Sequence, residues 1–165
     1  MSKDIILGID PGYDRMGWAI LEKGRGDFKV LDYGCVQTSP KQSLAERLEK
    51  VSDGLERIIK KFNPTAVGVE ELFFFKNAKT AIKVGEARGA ILLTIQKNNL
   101  KIFEFTPLQI KQQIVGNGRA DKIQVQKMIA LILGLKIKRI QDDAADALAV
   151  AYCAAQDLGF RAKIE

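Results

Sequence analysis

Three short apolar runs stand in succession at the start of the chain, before any helical spacing begins. They are DIILGID (4–10), RMGWAILE (15–22) and KVLDYGCV (29–36). KGRGD joins the last two, and its glycines suit a hairpin. A chain that opens this way commits to a sheet with an antiparallel meander on one side. SLAERLEKVSDGLERIIKKF follows, with Leu44, Leu48, Val51, Leu55, Ile58 and Ile59 at helical spacing. Ser43 and Glu46 make a capping box before it, and Asn63-Pro64 ends it. TAVGVEE (65–71) is a fourth strand, 78–97 a second helix and LKIFEF (100–105) a fifth strand. Thr106-Pro107 opens a third helix. VGNGRAD is a loop, and Asp121 with Gln124 caps a helix running to about Leu133. QDDAADALAVAYCAAQ is the last helix, with a polar tail from about residue 157. The expectation is an α/β domain spanning 1–165, with a five-stranded mixed sheet and helices on both faces.

Composition narrows the function. The chain has 165 residues, a net charge of +6 and no histidine. Positive charge favours a polyanionic partner, with nucleic acid ahead of an anionic membrane. The absence of histidine removes serine–histidine, cysteine–histidine and imadazole-based chemistry together. Hydrolysis would have to rest on carboxylates, lysines or metal. Cys35 and Cys153 are far apart within apolar runs, which suits buried reduced thiols and a cytosolic setting. No stretch approaches a membrane span, and the N-terminus does not read as a signal peptide.

Acids stand where burial predicts apolar residues. Asp10 ends the first strand, Glu70 ends the fourth, and Asp142, Asp143 and Asp146 open the last helix. Each has an ordinary explanation. Asp10-Pro11-Gly12 is a good turn, Glu70 has Glu71 beside it, and aspartates favour a helix N-terminus. Asp146, among alanines, escapes those explanations. In a β–α fold, strand C-termini and helix N-termini gather at one sheet edge. Acids converging there repel one another unless they take protons or a cation, and an all-oxygen set suits Mg²⁺ or Mn²⁺. Two-metal carboxylate sites catalyse in-line displacement at phosphorus. Phosphodiester affinity would then come from nearby cations: Lys76, Lys79, Lys83 and Arg88 after the second acid, and Lys111, Arg119, Lys122 and Lys127 before the third. In Phe73-Phe74-Phe75, one ring is expected to be exposed for stacking on DNA and the others to be core or interface.

GIDPG (8–12), VEELFFFKN (69–77), IKVGEARGA (82–90), QIKQQIVGNGRADKIQVQ (109–126) and DDAADALAVA (142–151) together resemble the RuvC family of bacterial Holliday-junction resolvases. The likeness runs along essentially the whole chain, in order. It implies an RNase H-like fold and a homodimeric endonuclease, dependent on Mg²⁺ or Mn²⁺ with two ions per site. The substrate would be four-way junction DNA and the partner the RuvA–RuvB motor, in the bacterial cytoplasm. Carried over by position, Asp10, Glu70, Asp143 and Asp146 are the catalytic, metal-holding acids. Lys111 and Lys122 are the basic residues near the scissile phosphate, and Phe73 is the junction-stacking aromatic, with Phe74 beside it as an alternative. Some relatives have histidine where Asp143 stands, so Asp143 would serve as a metal ligand. Asp142 is an extra acid. Three other readings compete. One is an RNase H or YqgF-like nuclease acting on another substrate. Another is an actin-like or sugar-kinase ATP site, which needs two such domains. The last is a non-catalytic junction-binding module, against which the acids argue. The bare Gly85/Gly89 face of the second helix is either a dimer contact or a surface packed on the sheet.

Overall fold

The computed structural model describes residues 3–71, 77–136 and 140–161. Phe73, Phe74 and Lys76 lie outside the described residues.

β1 (Asp4–Asp10), β2 (Arg15–Lys23) and β3 (Phe28–Gln37) form the antiparallel meander. β4 (Ala66–Glu70) joins β1 in parallel, and β5 (Lys101–Phe105) joins β4 in parallel. The sheet order is β3-β2-β1-β4-β5. β1 is thus central, and this explains its near-continuous apolar sequence: both of its faces are covered.

Period-two alternation divides the sheet residues between two cores. Leu7, Ile9, Ile20 and Val67 face α1 (Leu44–Phe62) and α2 (Ala78–Lys97). Ile6, Ala19, Leu21 and Ala66 face α3 (Pro107–Val115), α4 (Lys122–Ile132) and α5 (Asp142–Arg161). The capping boxes at Ser43–Glu46 and Asp121–Gln124 form as expected, and Thr106–Gln109 makes a third. Asn63 closes α1 in the left-handed region at φ 48°.

The C-terminal expectation needs correction. α5 runs to Arg161, so residues 157–161 are helical and do not begin a polar tail. Leu158 packs against the α5-side core, which extends the helix past the polar Gln156-Asp157 step. Cys153 is fully buried, but Cys35 is only half-buried. The Gly85/Gly89 face does not pack on the sheet. A Cβ added at either glycine would meet open space.

Candidate active site

The same alternation that sorts the core places the acids. On β1, Ile6, Gly8 and Asp10 share a face, and on β4, Ala66, Gly68 and Glu70 do. Since Ile6 and Ala66 face α5, so do Asp10 and Glu70. The parallel register pairs Ile9 with Val69, so the two carboxylates end adjacent strands at the same level. Glu71 is the next residue on, and its N–H donates to the Phe105 carbonyl at 2.7 Å. This separates the two neighbouring glutamates, which composition alone could not do.

A glycine seam brings the helix acids to that edge. Gly17, Gly8 and Gly68 stand on three adjacent strands beneath α5. A Cβ at Gly17 would overlap the Asp143 carbonyl oxygen, and one at Gly8 would overlap that of Ala147. At Gly68 it would stand 2.9 Å from the Val150 carbonyl. Glycine inside a strand weakens it but permits such close approach. The alanines of α5 are the matching half of the seam. Its first turns therefore lie directly on the ends of β1 and β2, with Gly17 paired to Asp10. Asp143 and Asp146, three residues apart, share the helix face near the strand acids. Asp142 is exposed.

The electrostatics follow from this crowding. Burial pushes the Asp10 carboxyl up to about 8, helped by the charges of Glu70, Asp146 and Asp143. Burial, then the Asp146 charge, pushes Glu70 up to about 7, against a hydrogen bond with Asp10 and the nearby Lys122 and Lys111. The outer acids lean on cations. Asp146 Oδ2 lies 2.9 Å from Lys122 Nζ, and Asp143 Oδ2 lies 3.7 Å from Arg15 Nη1. Gln126 Nε2 donates to Asp146 Oδ1 at 3.4 Å. Cys35, paired with Gly17, is beside the site, and burial and the Asp143 charge raise its thiol. A raised thiol is a poor nucleophile, so Cys35 is not a candidate for covalent catalysis.

A cleft of about 260 Å³ opens over Glu70 and Asp146, walled by Lys111, Lys122, Ile110 and Val125. A second, of about 620 Å³, opens on the Asp143 side, by Tyr13 and Arg15. The donor set is oxygen-only and charge-frustrated, which fits a hard divalent cation. Among the described residues, no three acids are already drawn together around an ion position. Arg15 pairs with one of them, Asp143, and Lys122 with another, Asp146.

A family model, RuvC (crossover junction endodeoxyribonuclease), matches residues 6–154. The chain belongs to the RuvC family. A RuvC from Caldicellulosiruptor saccharolyticus is 53% identical over 149 residues, covering 90% of this chain and 90% of its own. One from Petrotoga mobilis is 50% identical over 149 residues, covering 90% of this chain and 91% of its own. The structure of T. thermophilus RuvC in complex with Holliday junction substrate is similar with a TM-score of 0.86 and 34% identity, across 98% of this chain and 96% of that one. The RNase H-like fold expected from the RuvC resemblance is borne out.

Of the cations named from sequence, Lys111 and Lys122 line the cleft over Glu70 and Asp146. Lys83 is on the other flank, with Nζ 5.8 Å from the centre of the Tyr13 ring. Lys79 is exposed in the first turn of α2, and Arg119 is exposed in the α3–α4 loop. Arg88 is paired with Glu104 on β5. Sequence reasoning missed Tyr13, Arg15 and Gln126. The interior glycines of β1, β2 and β4 were the available signal for the α5 seam.

Proposed function

We propose that this RuvC-family protein is a single catalytic domain that nicks two opposing strands of four-way junction DNA. The observation that carries this reading is the meeting of Asp10, Glu70, Asp143 and Asp146 at one sheet edge, flanked by Lys111 and Lys122. The four acids would hold two Mg²⁺ ions, with Mn²⁺ able to substitute. Bound there, such ions supply Lewis acidity and a template for in-line displacement at phosphorus, leaving a 5′-phosphate and a 3′-hydroxyl. The protein's own part is electrostatic and positional. Asp10 and Glu70 release their protons to take a cation, so binding strengthens as pH rises towards 8. Lys122 and Arg15 yield Asp146 and Asp143 and become available to phosphate. Lys111 offers a second charge in the same cleft. Phe73 or Phe74 would stack at the junction centre.

Lys111→Ala is expected to slow nicking by roughly 10–100-fold with the fold intact. It should also reduce the slope of log affinity against log salt by about 0.9, the loss of one phosphate contact. Unchanged cleavage would remove Lys111 from the site.

The working unit is a homodimer, which suits two symmetric nicks. Along α2, Ile82 and Leu93 are 63% and 56% exposed, with the open Gly85 and Gly89 between them at helical spacing. A second copy covering this stripe buries both side chains. Ile82→Glu with Leu93→Glu should shift sedimentation from dimer to monomer and abolish paired nicks. A dimer that survives both changes places the contact elsewhere. The RuvA–RuvB motor is the proposed partner on the junction, in the cytoplasm. No helix among the described residues is long and apolar enough to cross a membrane.

A four-way junction set against an RNA–DNA hybrid tests the substrate. Preferential cutting of the junction supports the proposal, and preferential cutting of the hybrid favours an RNase H reading.

A further inference from the structure

Arg47 is only 9% exposed, yet its guanidinium serves a surface turn. Nε donates to Thr38 Oγ1 at 2.8 Å, and Nη2 pairs with the Asp14 carboxylate. Cζ lies 4.9 Å from the centre of the Tyr13 ring. Thr38, also buried, donates from Oγ1 to the Tyr13 carbonyl at 2.6 Å and from its N–H to the Asp14 carbonyl at 3.0 Å. A buried guanidinium is unfavourable unless its donors are used. Here they fix the turn that leads from Asp10 into β2. A turn held this way is preorganised, as a binding surface requires.

Tyr13 lines the 620 Å³ cleft, together with Arg15, Thr80, Val84 and Asp143. That volume lies within the roughly 300–1,000 Å³ of pockets that take small organic ligands. None of its lining residues belongs to the cleft of Lys111 and Lys122. The two clefts are therefore separate, one reaching Glu70 and Asp146 and the other reaching Asp143. Arg15, with its side chain 60% exposed, and the exposed Lys83 bring positive charge to the rim. The Asp14 and Asp143 carboxylates are met by Arg47 and Arg15.

The geometry points to a nucleotide subsite in this cleft, where Tyr13 stacks on a base near the scissile phosphate and Arg15 and Lys83 hold the backbone. The strand being cut lies across the acids and meets both the Lys111–Lys122 cleft and this subsite. Tyr13 is a positioning residue here, and its ring is pre-oriented by Arg47 before DNA arrives. This inference rests on the junction-nicking reading and adds a binding site to it.

The test uses four-way junctions with 2-aminopurine at each of three positions on either side of the nick, bound to protein under metal chelation. Wild-type protein should quench the fluorophore at one position. Tyr13→Phe should keep that quenching. Tyr13→Leu should lose it there and nowhere else, and should raise the junction Kd about tenfold, as loss of one base–aromatic stack does. Lys83→Gln, which leaves the Arg47, Thr38 and Asp14 contacts of the turn in place, should weaken binding about threefold and lower the salt slope by about 0.9. Quenching that depends on Tyr13 at no position, or persists in Tyr13→Leu, overturns the subsite and leaves junction nicking standing. Wild-type protein that fails to bind the junction overturns both.

Discussion

Asp10→Asn is expected to abolish nicking and, in the same molecule, to stabilise the metal-free protein. The first effect should be a rate loss on the order of 10³ or more, equivalent to about 4 kcal/mol of lost transition-state stabilisation. Junction binding should survive, because asparagine has nearly the shape of aspartate and adds no negative charge to the DNA-facing edge. The second effect follows from proton linkage. Burial, with Glu70 and the α5 aspartates, raises Asp10 to about 8 in the folded state. Between its ordinary range near 4 and about 8, the folded chain binds more protons at this site than the unfolded chain. The contribution of Asp10 is thus present below pH 4 and lost as pH rises through 8. Asparagine has nothing to ionise. Its advantage over aspartate should grow across that window, reaching roughly 2 kcal/mol at pH 8 by urea denaturation. Added Mg²⁺ should stabilise the wild type and leave the variant nearly unchanged. A variant less stable than wild type at pH 8 would contradict the raised carboxyl, and a variant that nicks at the wild-type rate would remove Asp10 from catalysis.

Gly8→Val should be the most damaging substitution away from the acids themselves. A Cβ at Gly8 would overlap the Ala147 carbonyl, stand 2.5 Å from the Ala151 nitrogen and 2.6 Å from the Ala151 Cβ. The first two obstacles are backbone, so α5 must lift from the sheet. Overpacking of this kind costs typically 1–3 kcal/mol, and with a branched residue against a helix backbone we expect about 3 kcal/mol or more. Because Asp143 and Asp146 ride on the same helix, nicking should fall by at least 100-fold even where the variant remains folded, as a 1 Å misplacement does. Thermal melting and single-turnover cleavage measured together check this. Wild-type cleavage in a folded Gly8→Val protein would show that the seam does not set the position of the acids.

The sequence pattern revealed the order of strands and helices because their signals are local. The apolar runs, the Ser43–Glu46 and Asp121–Gln124 boxes and Asn63-Pro64 are each complete within a few residues. The acids were legible individually, and strand periodicity explains why Glu70 belongs with Asp10. The Gly8–Gly17–Gly68 seam was not legible, because it joins three strands to a helix that begins more than 70 residues after the last of those glycines. Arg47 was hidden for the same reason. On α1 it reads as one more charge on an amphipathic helix, and only the fold brings Thr38, Asp14 and Tyr13 to it. The end of α5 was placed too early because Gln156-Asp157 looks like a polar exit, while Leu158 still has core to meet.

The most direct measurement is a map of nicks on a synthetic four-way junction, with each strand labelled in turn, with Mg²⁺ and with Mg²⁺ chelated. Paired nicks at symmetric positions on two opposing strands are expected with Mg²⁺ present, and an intact but protein-bound junction without it. Unpaired cuts scattered along the duplex arms, or cleavage that persists under chelation, would rule out metal-dependent junction resolution.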